Sequence, residues 1–285
     1  MPTSVPPAYT LVAPPRLAPL FLGACDRLFA IECACERTLE LVRNVFSALV
    51  QSADADRSPV RSYVVTGPDR SGCFVITDGT NTEFADGADD LLYQIDKAII
   101  VALQLERPDL FFLHAATIAV NGRAVAMPAF PGTGKSTLTL ALAEHGLEYL
   151  SDELAPVDLE ALTVAPYPHA VCLKAAPPLP YGLPQGTLTV NRRFQVPVTS
   201  LASTTRLDPL PLAGIVFLRR DGSRFDGLRP ISIASGATCL MAHLLNGLAH
   251  PNFGLDSAIA LSDAVPCFEL DVTDLPAAVQ AIAEM

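Results

Sequence analysis

Residues 127–146 read MPAFPGTGKSTLTLALAEHG. Gly132 and Gly134 flank Thr133 and are followed by Lys135, Ser136 and Thr137, after which the chain turns to leucine and alanine. Upstream, TIAVNGRAVAM places Asn121-Gly122 between two alternating apolar runs, the pattern of a tight hairpin. Downstream, Leu138, Leu142 and the alanines predict a helix from about Ser136 that stops at Gly146, where a left-handed C-terminal cap fits. Strand, glycine-rich loop and helix follow one another in the order that lets backbone amides and a helix N-terminus surround a phosphate. The expected fold class is therefore α/β, built around a phosphate-binding P-loop.

The loop chemistry follows from residue types. Glycines at 132 and 134 let successive N–H groups around Thr133 turn toward phosphate oxygens. Lys135 can follow the β- and γ-phosphates of ATP, Ser136 can ligate Mg²⁺, and Thr137 adds a second hydroxyl at the helix start. Ala129 stands where the common G-x-x-x-x-G-K-[ST] pattern has its first glycine. The competing reading is a glycine-rich turn that caps a helix and leaves Lys135 in solvent.

Two further features bear on what is done with the phosphate. LEYLSDELAPV reads as a short apolar strand ending in Asp152-Glu153. Adjacent carboxylates there can divide two tasks, Asp152 assisting the metal and Glu153 accepting a proton from an attacking hydroxyl, or they can form a solvated acidic turn. His114, in FFLHAAT, lies in an apolar run whose hairpin returns to the loop; a lone histidine in such a run is more often structural than catalytic.

From His114 through the loop to Glu153 the chain resembles the catalytic core of HPr kinase/phosphorylase, and within that superfamily the HPr-kinase-related serine kinases of bacterial gene clusters. The resemblance implies a phosphoenolpyruvate-carboxykinase-like P-loop nucleotide-binding domain. It implies ATP and Mg²⁺ as cofactors and His114, Lys135, Asp152 and Glu153 as active-site residues, with Ser136 a metal ligand. Glu153 stands at the family's proton-accepting aspartate. The metal-binding glutamate of the family's downstream Glu-Ile-Arg-Gly segment is missing, since residues 161–207 contain no aspartate or glutamate. Kinase activity with little phosphorolysis is the expectation.

That acid-free stretch carries Lys174, Arg192, Arg193 and Arg206 in a protein of net charge −11. It reads either as an anion-facing surface, with Lys174 and Arg206 toward substrate or phosphate, or as a basic solvated loop. The overall charge argues against non-specific nucleic-acid binding, which depends on lysine and arginine at phosphates. Seven scattered cysteines without a C-x-x-C pair suit reduced thiols in the cytoplasm, and CAC at 33–35 suits packing better than metal. The proline-rich N-terminus lacks the pattern of a signal peptide, and no apolar run reaches membrane-spanning length.

The rest is coarser. ERTLELVRNVFSALVQS predicts a helix, SYVVTG and CFVITDG short strands, and ADDLLYQIDKAIIVALQLE a second helix with an acidic start. These make a small N-terminal α+β domain, 1–107, ahead of a kinase domain, 108–285, with the boundary near Pro108. Toward the C-terminus, LAGIVFLRRDGSRFDGLRPIS reads as strand, turn and strand. GATCLMAHLLNGLAH reads as one helix, VPCFELDV as a strand and LPAAVQAIAEM as a closing helix, with His243 and His250 structural. The function expected is ATP-dependent phosphorylation of a hydroxyl, a serine of a small protein or ribosomally made peptide. The alternatives are a small-molecule hydroxyl kinase and a nucleotide-binding regulatory protein with decayed catalysis. Neither the acceptor nor homo-oligomerisation can be read from the chain.

Overall fold

The computed structural model describes residues 17–52, 57–220 and 227–285. The first part of the N-terminal proline-rich segment (1–16) and the turn read within 221–226 lie outside the described residues. What is described is a mixed α/β protein with several sheets.

The first sheet has six strands in the order Val50–Gln51, Leu20–Ala24, Arg27–Cys33, Arg61–Thr66, Phe74–Thr77 and Thr82–Ala85. The predicted strands fall where alternation placed them, with Tyr63 and Val65 buried and Val64 exposed. Helix Glu36–Val45 buries Leu39, Val42 and Val45, then tightens into a 3-10 turn at Ser47–Leu49. Helix Ala88–Glu106 buries Leu92, Ile95, Ile99 and Leu103, and Asp89 and Asp90 in its first turn complement the helix dipole. The core over this sheet continues without a break into Leu110, Phe112, Leu154, Tyr167 and Ala170.

The second sheet has nine strands and is mixed. Its main path runs Glu148–Ser151, Ala115–Val120, Arg123–Pro128, Leu210–Arg219, Thr163–Val164, Ala155–Asp158 and Phe111–Leu113. Strand Leu210–Arg219 runs parallel to Arg123–Pro128 and to Cys267–Asp271. The hairpin turn is as read: Asn121 and Gly122 both have positive φ, 51° and 73°, as a two-residue turn matching strand twist requires. Helices cover both faces. Lys135–Glu144 and Leu275–Ala283 pack on one through Leu138, Leu142, Val279 and Ile282. Ile233–His243 and Leu255–Ala264 pack on the other through Leu240 and Leu261.

Helix Lys135–Glu144 is buried from Leu138 to Ala143 without a polar stripe, the pattern of a helix enclosed all round. Its third side meets a small sheet of Val171–Leu173, Leu188–Val190 and Arg193–Val196 through Leu140. The helix stops as expected: Gly146 has φ 96°, and Leu147 N–H bonds back to the Leu142 carbonyl at 3.1 Å.

Two expectations are corrected. The segment read as one helix from Gly236 to His250 is α-helical only as Ile233–His243, with a separate 3-10 turn at Gly247–Ala249. Beyond it the chain leaves the helix to pair with strand Phe111–Leu113, with Leu245 N–H bonded to the Phe112 carbonyl at 2.9 Å. The buried Asn246 side chain serves the Phe112 amide and the Leu110 carbonyl, at 3.0 and 2.8 Å. Edge backbone groups that must find partners outweigh helix propensity here. Second, His114 is not on a hairpin strand but at the bend between Phe111–Leu113 and Ala115–Val120.

Candidate active site

The bend at His114 faces a second interruption. Strand Glu148–Ser151 ends, Asp152 and Glu153 intervene, and Ala155–Asp158 resumes. The pairs Ser151↔Thr117 and Ala155↔Leu113 flank the two breaks. The interrupted ladders open toward the glycine-rich loop, and the side chains at the breaks meet there. His114 Nε2 lies 2.9 Å from Glu153 Oε2, and Lys135 Nζ lies 3.3 Å from the same oxygen. Lys135 also donates to the Asp152 backbone carbonyl and lies 3.9 Å from Asp152 Oδ1. Ser151 Oγ accepts from the Leu154 amide at 3.0 Å and fixes the turn that presents both acids.

In the loop, Gly132 and Gly134 have φ of 89° and 112°, a region closed to most side chains. Gly134 caps the helix without any side-chain bond, so the helix's first amides keep their capacity for an anion. Ala129 is buried in the core beside the loop and is not among the residues with positive φ. The backbone there makes no demand for glycine, so its place in the pattern carries no strain.

The site's electrostatics divide the two carboxylates. Burial alone would raise the Glu153 carboxyl, but the Lys135 charge and the His114 hydrogen bond outweigh it and hold the pKa at about 2. Asp152 is raised, first by burial, then by the Glu153 charge, against the opposing charge of Lys135 and the nearby Ser136 hydroxyl. Asp152 is 0 % exposed, and neither carboxylate oxygen has a hydrogen-bond partner. A buried carboxylate in that condition is costly unless a cation completes it.

His114, Lys135 and Glu153 line a cleft of about 920 Å³ that also takes in Gly132, Gly134, Ser136 and Thr137, with Asp152 buried behind its wall. Thr133 is not on its wall; its amide bonds the Phe130 carbonyl at 3.2 Å. Lys174 reaches the cleft, whereas Arg206 does not: it pairs with Glu148 at 2.9 Å. The expectation that Arg206 faces substrate is corrected, because the one carboxylate in its reach lies on strand Glu148–Ser151.

Other residues on the cleft wall or just behind it escaped the sequence reading. Arg220, at the end of strand Leu210–Arg219, stands over Gly134. His243, read as structural, is 8 % exposed beneath the loop, 4.6 Å from the Phe130 ring, and its carbonyl accepts from the His114 amide. Burial, then His114 and Lys135, pull its pKa down to about 4. Asp96 of helix Ala88–Glu106 and His169 also line the cleft. No motif links residues so far apart in sequence; only their common acid and imidazole chemistry marked them.

No family model and no curated protein matches the chain. Among solved structures, an HPr(Ser) kinase/phosphatase from Coxiella burnetii is similar at 15% identity and a TM-score of 0.31, over 58% of this chain and 88% of that one. A likeness so distant carries no argument about the site, which rests on its own residues.

Proposed function

We propose that this chain is an ATP-dependent kinase that transfers the γ-phosphate to a hydroxyl, with a serine of a small protein or peptide as acceptor. The observation that carries the reading is the convergence on Lys135, at the head of the loop's helix, of a buried Asp152 whose carboxylate has no hydrogen-bond partner and a histidine-bound Glu153. A regulatory nucleotide binder has no use for a carboxylate held beside an imidazole. The reading keeps a phosphoenolpyruvate-carboxykinase-like kinase unit, 108–285, and an N-terminal unit, 1–107. Seven free cysteines support a cytoplasmic setting, and no described helix is long and apolar enough to cross a membrane.

Mg²⁺ fits these residues. No cluster of three or more His, Cys, Asp or Glu suited to a metal occurs among the described residues, but nucleotide-bound Mg²⁺ takes one or two protein oxygens and completes its shell with phosphate and water. Ser136 and the Asp152 carboxylate, whose oxygens have no hydrogen-bond partner, would supply those oxygens. Bound Mg·ATP would supply the phosphoryl group and neutralise the charge that develops on it.

The chain's own contribution is positioning and proton handling. Amides of Gly132, Gly134 and the first turn of the helix hold phosphate oxygens, with Thr137 at the same helix start. Lys135 moves its charge from Glu153 toward the phosphates, which removes the strongest influence lowering that carboxyl. Glu153 thereby becomes basic enough to take the acceptor's hydroxyl proton on Oε2, while His114 Nε2 keeps the carboxylate aimed. Nucleotide binding and activation of the base are one event in this scheme.

The test is transfer of labelled phosphate from ATP to serine peptides, with ATP binding measured separately by calorimetry. Lys135→Ala should abolish transfer and weaken Mg·ATP binding by about 10- to 100-fold, the scale of a lost charge-assisted hydrogen bond. Unchanged ATP affinity in that variant would remove the loop from the mechanism.

A further inference from the structure

The wall of the cleft carries a second polar pair that the phosphate chemistry does not use. His169 is 4 % exposed, and its backbone is anchored on both sides: its carbonyl accepts from Tyr149 Oη at 2.8 Å, and the next amide, Ala170, bonds the Val45 carbonyl at 2.7 Å. The ring lies 5.9 Å from Phe46 and 5.4 Å from Tyr167. Nδ1 lies 2.8 Å from the Ala170 carbonyl oxygen. A carbonyl only accepts, so Nδ1 carries a hydrogen and Nε2 is the nitrogen left to act in the cleft. Nε2 has no hydrogen-bond partner, and the nearest acid, Asp96 Oδ1, stands 3.9 Å away, beyond hydrogen-bond reach. Tyr167 Oη donates to that same Oδ1 at 2.8 Å and holds the carboxylate in place.

Two acceptors 3.9 Å apart, on residues that line the cleft but with the imidazole nitrogen shielded from solvent, ask for a group that donates to both. A hydroxyl has one hydrogen to give, whereas an ammonium has three and brings the charge Asp96 lacks. The surroundings agree. Phe46 and Tyr93 present aromatic surface to the same space, and Asp90 adds a carboxylate. Lys135 stands instead at the head of the loop's helix and Arg220 over Gly134. Arg193 is held at 3.7 Å by Asp89. The pair is close enough to the reacting groups that, after burial, the Glu153 charge helps raise the Asp96 carboxyl.

We propose that Asp96 and His169 form an acceptor subsite for a primary ammonium group carried by the molecule whose hydroxyl is phosphorylated at Glu153. The assignment rests on the kinase reading for its second half only; a cation subsite between Asp96 and His169 stands or falls by binding. The ammonium comes from a lysine beside the target serine, from a peptide N-terminus or from a small amino alcohol, and all share this chemistry.

The experiment compares matched probes: a capped Gly-Ser-Lys-Gly peptide and its Nε-acetyl-lysine form, Ser-Gly-Gly amide and its N-acetyl form, and ethanolamine and N-acetylethanolamine. Phosphate transfer is measured with labelled ATP. In parallel, the His169 ring proton, assigned by its loss in His169→Gln, is followed by NMR during titration with each probe. The free amine of at least one pair should be preferred about 10-fold in kcat/KM, the scale of one charge-assisted bond. Asp96→Asn should erase that preference instead of lowering both members equally, and only free amines should move the His169 resonance. Transfer without amine preference overturns the subsite and leaves the kinase standing. No transfer, with a His169 response to amines alone, overturns the kinase and leaves the subsite. A His169 resonance indifferent to every probe overturns the subsite in either case.

Discussion

Glu153 Oε2 is shared by two cationic or donating partners, His114 Nε2 at 2.9 Å and Lys135 Nζ at 3.3 Å, and its carboxyl is held at about 2 in consequence. A carboxyl depressed from an ordinary 4.5 stabilises the fold above the ordinary value, and that stability is lost as pH falls toward the depressed one. Wild-type melting temperature should therefore drop between pH 4.5 and pH 2 more steeply than that of Glu153→Gln. Thermal melts across this window check it; parallel curves would mean that the pairing does not hold in solution.

The same variant separates binding from chemistry. Glu153→Gln keeps the shape and removes the base, so kcat should fall by about 10²- to 10⁴-fold while Mg·ATP still binds. In the wild type the acid limb of kcat, which reports the nucleotide complex, should lie at higher pH than that of kcat/KM, because Lys135 no longer depresses the carboxyl. Full turnover by Glu153→Gln, or coincident limbs, would rule out the coupling of nucleotide binding to the base.

Asp152 has the opposite sign. Its pKa is raised, so its favourable contribution is complete below the ordinary 3.8 and is lost as pH rises through the folded value. At pH 7 without metal the buried charge works against folding. Asp152→Asn should then melt higher by roughly a few degrees, about 2–4 °C for each kcal/mol regained, yet need far more Mg²⁺ for turnover. A lower melting temperature in metal-free buffer, or an unchanged Mg²⁺ requirement, would contradict the role given to this carboxylate.

Two basic residues from one acid-free segment should behave differently. Lys174 lines the cleft and Arg206 pairs with Glu148 outside it. Lys174→Ala should raise the Michaelis constant for ATP or acceptor with little change in melting temperature. Arg206→Ala should leave both kinetic constants near wild type. Steady-state kinetics of the two variants side by side decide the point, and equal effects would dissolve the distinction.

Ala129→Gly restores the common loop pattern and gives a further check. Because Ala129 is buried and outside the positive-φ residues, glycine there should not tighten ATP binding and should cost about 0.5–1 kcal/mol through added backbone freedom. Calorimetry and denaturant unfolding measure the two quantities. Tighter binding would show that the alanine strains the loop after all.

What the sequence revealed was local. The Asn121-Gly122 turn, the helix closed by Gly146 and the periodic helix Ala88–Glu106 each depend on neighbours in the chain, and each lies where pattern placed it. The loop residues and the Asp152-Glu153 pair were legible because they fall within one contiguous stretch. Asp96, His169 and Arg220 were not, since the contacts that bring them to one cleft join distant parts of the chain and leave no spacing to recognise. The early end of helix Ile233–His243 was hidden for the same reason: it is set by the unfilled edge of Phe111–Leu113, which the helix's own residues do not announce.

The strand pairs on either side of the site, Ser151↔Thr117 and Ala155↔Leu113, belong to one count along both chains. Because side chains alternate across a strand, losing or gaining a single residue between Ser151 and Ala155 would turn Ala155, Pro156 and Val157 inside out, exchanging the faces they present to the core. Substitution within this interval alters chemistry one group at a time, whereas a change in its length alters the packing of half a sheet. The interval therefore acts as a ruler, its length of three residues, 152–154, matched to the three, 114–116, that separate the partners Leu113 and Thr117.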